Sequence, residues 1–158
     1  MRFAGLAFAL GLGLAAACGG KSKDTTTTPP APAADTTTAS LYTRLGEKPA
    51  IEAVIDKFLA NVVADARINA RFSHMDEAAV IKLRNHLVDQ VCAATGGPCQ
   101  YTGKDMVTVH TKMNVTDAEF DALVEDLVAA LDELGVQPTE KGEVLGALGG
   151  MRGDIVGR

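Results

Sequence analysis

Three histidines, His74, His86 and His110, and three cysteines, Cys18, Cys92 and Cys99, are the side chains best suited to hold a metal or to attack a substrate. Their spacing excludes several chemistries. No two histidines stand four residues apart, the separation that puts two imidazoles on one helical face for zinc. Cys92 and Cys99 do not form a Cys-x-x-Cys pair. There is no Gly-rich phosphate loop, no His-Glu-x-x-His and no nucleophile elbow. Hydrolase, nucleotide-binding and structural-zinc readings therefore lack support. What is left is imidazoles that act singly. His110 lies in a short segment four residues after Met106; by itself such a histidine reads as a surface or core residue. Leu83, His86, Leu87 and Gln90 share one helical face, so His86 sits among leucines with an amide one turn beyond.

The elements that must position these residues are helical. The chain has 158 residues, 47% hydrophobic and 22% charged, which is enough for one domain and too little for two. Trp is absent and aromatics are 4%, so the core has to be aliphatic. A net charge of -5 argues against a nucleic-acid partner. Pro49 suits a first helical turn. After it, Ile51, Val54, Ile55, Phe58, Leu59 and Val62 recur at helical spacing to about Asp65. Asn69 to His74 reads as a turn. Asp76 caps a second helix running to about Ala94, with Val80, Leu83, Leu87 and Val91 on one side, and Thr95-Gly96-Gly97-Pro98 ends it. A short helix is expected at 106–110. Thr116-Asp117-Ala118-Glu119 is a capping box. It opens a helix with Phe120, Leu123, Val124, Leu127, Val128, Leu131 and Leu134 inside and Asp121, Glu125, Asp126, Asp132 and Glu133 outside. A last helix begins near Thr139 and carries Val144, Leu145, Leu148, Met151 and Ile155. Four main helices and no convincing strand make a small all-α domain over 41–158, for which periodicity alone would allow a plain bundle.

The N-terminus reads as an address. Arg2, an apolar run from Phe3 and the small residues Ala15-Ala16-Ala17 have the parts of an export signal over 1–17. Cys18 directly after them resembles a bacterial lipoprotein box, which implies cleavage before Cys18 and a lipid on its thiol; Ala15 stands where such boxes more often carry Leu. Residues 18–40, rich in Thr, Pro and Ala, read as a disordered tether. The expected location is the bacterial cell envelope, anchored in a membrane through Cys18. Gly19, in place of a retention-type aspartate, favours the outer membrane, facing the periplasm. In an exported domain Cys92 and Cys99 could close a disulfide around the Gly-Gly-Pro turn, or stand as two free thiols. Asn114-Val115-Thr116 fits a glycosylation triplet but lies over the capping box, which discounts it.

In order along the chain, Leu41-Tyr42-Thr43-Arg44-Leu45-Gly46, Ala50 to Val54, Phe58, Phe72, Gly96-Gly97-Pro98, Tyr101-Thr102-Gly103-Lys104-Asp105-Met106, His110, Thr116 to Phe120 and Leu127 to Gly135 resemble the group 1 truncated haemoglobins. The resemblance covers essentially all of 41–158. It implies a shortened globin fold, two helices over two, around one haem b with its iron. It implies that His110 is the proximal iron ligand, that Phe72 packs on the haem, and that Phe58, Leu83, Met106, Val115 and Phe120 line the pocket. Tyr101 and Lys104 would lie at the haem edge, Lys104 on a propionate or simply in water.

The distal side departs from the pattern. Family members commonly carry Tyr where Leu59 stands and Gln where Leu87 stands; neither leucine donates a hydrogen bond, and Gln90 is the available substitute. Bound oxygen should then leave, or oxidise the iron, more readily. Some cyanobacterial relatives have histidine at the position of His86, where it is a sixth iron ligand. His86 is therefore either that ligand or a pocket-mouth histidine on a propionate or in water. The implied function is reversible binding of oxygen, nitric oxide or another small diatomic, with nitric-oxide dioxygenase or redox chemistry, served by an unidentified reductase, as an extension. The alternative is a cofactor-free helical lipoprotein that acts as a protein-interaction module.

Overall fold

The computed structural model describes residues 39–158. The signal over 1–17, Cys18 and the tether as far as residue 38 lie outside the described residues. Ala39 and Ser40, which sequence assigns to the tether, belong to the folded part. The Ser40 hydroxyl accepts from the Thr43 amide at 3.3 Å and caps α1 (Leu41–Leu45). This five-residue helix has too few apolar positions to leave a periodic signal, so it is absent from the sequence expectations. Gly46, at φ 97°, ends it and turns the chain into α2 (Glu47–Ala64). Pro49 lies in the first turn of α2, where its missing N–H leaves no hydrogen bond unmade.

Helix α2 is the spine. It buries Ile51, Ile55, Phe58 and Val62. Phe58 and Val62 join Ile68, Ala122, Leu127, Ala130 and Leu131 in one core cluster against α5 (Asp117–Glu133). Ile51 and Ile55 join Val88 and Cys92 in a second cluster against α3 (Glu77–Ala94). Each such Ile or Leu contributes about 1.5–3 kcal/mol through removal from water. A 3-10 turn (Asn69–Arg71) and Phe72 connect α2 to α3, whose N-cap Asp76 accepts from the Ala79 amide at 2.8 Å. Helix α3 buries only Val88 and Cys92, because its neighbour on one flank is α2 and its other flank borders a cavity. Val80, read as part of its apolar side, is 41% exposed.

Helix α4 (Met106–His110) buries none of its five residues. The capping box then forms as the sequence requires. Thr116 Oγ1 accepts from the Glu119 amide, and Glu119 Oε2 accepts from the Thr116 amide at 2.8 Å. Asp126 departs from expectation: it is only 9% exposed at the α2–α5 seam, and its Oδ2 has no partner. Burial, then the negative charge of Asp65, pushes its carboxyl above the usual range. The last helix is broken in two, α6 (Pro138–Gly150) and α7 (Arg152–Ile155), at Met151 behind Gly149-Gly150. Among the described residues there is no strand, only a single bridge between Val115 and Val156. Ion pairs set the register of the outer helices. Arg44 on α1 reaches Glu140 and Glu143 on α6 at 2.8 and 2.6 Å, and Arg152 on α7 reaches Asp117 and Asp121 on α5 at 2.6 and 2.7 Å.

Candidate functional site

A cavity of about 670 Å³ opens between α2, α3, α4, α5 and the α6–α7 end. That size takes a cofactor-sized organic molecule. Its wall holds Phe58 and Leu59 from α2, Phe72 from the turn, and Leu83, His86, Leu87 and Gln90 from α3. Tyr101 and Lys104 come from the next loop, Met106 and His110 from α4, and Val115 and Phe120 from the entry to α5. The structure thus brings together every pocket residue named from the sequence. It adds others that the sequence reading missed: Arg71, Lys82, Val109, Met113, Glu119, Leu148, Met151 and Ile155. Leu148, Met151 and Ile155 carried only a generic helical-core signal. His74 does not line the cavity.

His110 is held at its inner edge. Its Nδ1 lies 2.8 Å from the carbonyl of Met106, one turn earlier. A carbonyl can only accept, so Nδ1 carries the proton and Nε2 keeps its lone pair. That tautomer and its anchored ring are what an imidazole needs to ligate a metal. The short helix is itself fixed by Asp105, which accepts from the Thr108 amide at 2.8 Å and hydroxyl at 2.6 Å. Those bonds hold the Asp105 carboxyl below the usual range. Among the described residues no group of three or more His, Cys, Asp or Glu could hold a metal ion. A metal on His110 must therefore bring most of its ligands with it, as an iron porphyrin does.

The other wall is poor in donors. Leu59, Leu83 and Leu87 present only hydrocarbon. Gln90 points its Nε2 at the sulfurs of Met106 and Met151, 3.7 and 3.5 Å away, and these are weak acceptors. His86 meets Tyr101 edge-on, with ring centroids 6.0 Å apart. The Tyr101 hydroxyl donates to the Lys104 carbonyl at 2.8 Å, so it is already engaged within the loop. Burial, then the charge of Asp105, pushes that phenol up. Lys82 and Lys104 are exposed on the cavity rim, where two ammonium groups can meet the carboxylates of an amphipathic ligand.

Cys92 and Cys99 form a disulfide with a Cα–Cα distance of 5.7 Å. The turn it closes is tight: a Cβ on Gly97 would fall 2.5 Å from the Tyr42 ring and 2.7 Å from Cys92 Sγ. The bridge joins the end of α3 to the loop that carries Tyr101 and Lys104. An apolar slot, one prepared imidazole and a cationic rim together fit a haem.

The sequence profile of the bacterial-like globin family matches residues 40–156. The chain is 33% identical over 119 residues to a group 1 truncated hemoglobin of Tetrahymena pyriformis, an alignment that takes in 75% of this chain and 96% of that protein. It is 32% identical to one from Nostoc sp. over 76% of this chain and 99% of the other. The crystal structure of the T. pyriformis truncated hemoglobin in its Fe(III) form superposes with a TM-score of 0.71 at 32% identity, over 76% of this chain and all of that one. A 2/2 hemoglobin from Synechococcus sp., in the cyanomet state with covalently attached heme, superposes with a TM-score of 0.69 at 34% identity over the same shares.

Proposed function

The chain belongs to the bacterial-like globins as a truncated haemoglobin that holds haem and binds small ligands such as oxygen, and from that membership we propose the roles of its own residues. The haem supplies an iron whose open face takes a diatomic ligand. His110 holds the iron through Nε2. The observation that carries this is the Nδ1 bond to the Met106 carbonyl beside an apolar cavity. Phe72 and Met106 pack on the porphyrin, and Lys82 and Lys104 bind its propionates. The cofactor-free interaction module is not favoured, since a helical module with no cofactor needs neither the cavity nor the prepared imidazole.

His86 would serve as a further ligand to that iron when no gas is bound. Its support is its place in the cavity wall on one helical face with Leu83 and Leu87, which offer iron no donor atom. The leucines at 59 and 87 leave an incoming diatomic without a strong donor, which favours redox or nitric-oxide chemistry, with an external reductase, over oxygen storage. The test is the ferrous absorption spectrum of the purified protein with and without His86. A low-spin six-coordinate spectrum that turns five-coordinate in His86→Leu supports this reading. A five-coordinate spectrum in both, with stable oxygen binding, supports a carrier.

We also propose export and lipidation at Cys18, with the domain tethered to the cell envelope, outer membrane preferred. The signal-like residues 1–17 support it, and a disulfide persists most readily in such an oxidising compartment. Lipid labelling that vanishes in Cys18→Ser, with release of the protein from membranes, is the expected result.

A further inference from the structure

The segment after His110 is unusually contorted. Met113 N–H turns back to the His110 carbonyl at 2.9 Å. Lys112 stands at φ 68° and Asn114 at φ 50°, a left-handed backbone that asparagine tolerates and lysine resists. Two such residues within four positions of His110 need an external hold. The hold comes from one side chain far away in sequence. Arg71, in the turn next to Phe72, gives Nη1 to the Met113 carbonyl at 2.5 Å and Nη2 to the Asn114 carbonyl at 3.3 Å. Its Nε and Nη2 also grip both oxygens of Glu119 at 2.7 Å each. Glu119 in turn closes the capping box on Thr116, and these contacts, Arg71 first, hold its carboxyl at about 2. Behind the same segment the Asn114 amide donates to the Arg158 carbonyl, and the Gly157 amide donates to the Val115 carbonyl at 2.9 Å.

We propose that Arg71 is a positioning residue for His110. Its planar fork ties the exit of α4 to the start of α5 and to the turn bearing Phe72, and so fixes the tilt of the imidazole. The inference rests on His110 being the iron ligand. Only an arginine offers donors in this arrangement; a lysine keeps the charge but loses the fork.

The experiment compares wild type with Arg71→Met and Arg71→Lys, using the full domain reconstituted with haem. The expected result is that both variants bind haem, that both shift or broaden the ferrous iron–histidine stretching band, and that both lose haem on the order of 10-fold faster. In the haem-free chain, amide exchange over 112–116 should accelerate in both, with exchange in α2 unchanged. A band identical to wild type in either variant overturns the proposal, even if stability falls. So does restoration of the wild-type band by lysine, which would mean that charge alone matters. If Arg71→Met fails to fold, Arg71→Lys and the exchange measurement decide by the same criteria. His110→Gly separates the two claims: an unchanged haem spectrum there removes the ligand assignment itself, whatever Arg71 does.

Discussion

The two walls of the cavity are built on opposite terms. On the α4 side nearly every polar group is committed. His110 is bonded to Met106, Asp105 to Thr108, and Arg71 to Glu119 and to the carbonyls that follow α4. On the α3 side the surface is leucine, and its polar groups, His86 and Gln90, meet only a ring edge and two thioethers. A committed wall holds its ligand in one geometry. An uncommitted wall lets a side chain come and go. The contrast teaches that satisfied hydrogen bonds can order a segment with little burial, since no residue of α4 is fully buried.

The comparison can be broken most severely at His110. His110→Ala should raise the rate of haem loss by more than about 100-fold, beyond the effect typical of an outer-shell partner, as read by transfer to an apo-globin acceptor. On the other wall, Leu59→Tyr supplies the missing donor. Release of oxygen or nitric oxide should slow roughly 10-fold, the worth of one net hydrogen bond, in stopped-flow or flash photolysis. No slowing would mean that the wall is not distal. The bridge between α3 and its loop sharpens the contrast through stability instead of ligand release. Cys92→Ser with Cys99→Ser should lower unfolding stability by about 2–3 kcal/mol through loop entropy, in denaturant titrations run without reductant.

The smallest effects concern pH and have opposite signs. The Glu119 carboxyl is held down at about 2, so its contribution is fully present above the unfolded value of 4.5 and is lost as pH falls toward 2. Glu119→Gln should flatten that limb of a melting-temperature profile. Asp126 is raised, so its charge opposes folding once pH rises above the unfolded value of 3.8. Asp126→Asn should therefore stabilise at neutral pH, by less than about 1 kcal/mol, and give no gain below pH 3.8. A loss at neutral pH would show that the carboxylate has a partner in solution.

Much of this was legible in the chain. Helical periodicity marks α2, α3 and α5, whose apolar faces are long enough to repeat, and the capping box at Thr116 marks its own helix start. The pocket residues were named from the family resemblance that runs along 41–158, of which Gly96 to His110 is one part. What escaped is what depends on distance through space. Arg71 and Glu119 are far apart in sequence, and although Glu119 belongs to the capping box, no local pattern pairs it with Arg71. Asp126 has the spacing of a wet-face residue and is covered only because α2 crosses there. Val80 fits the α3 stripe and stays exposed because α3 leans on one neighbour. Helix α1 is too short for any period to register.

The corner at the start of the domain has a mechanical meaning. Ser40 begins α1, the Tyr42 amide donates to the Thr95 carbonyl at 2.8 Å, and the Tyr42 ring rests on Gly97 beside Cys92. Any pull arriving along the backbone before Ser40 is thus delivered to a covalently closed ring. Tyr42 meets that ring at Thr95 and Gly97, by the far end of α3, whereas His110 stands on another helix outside it.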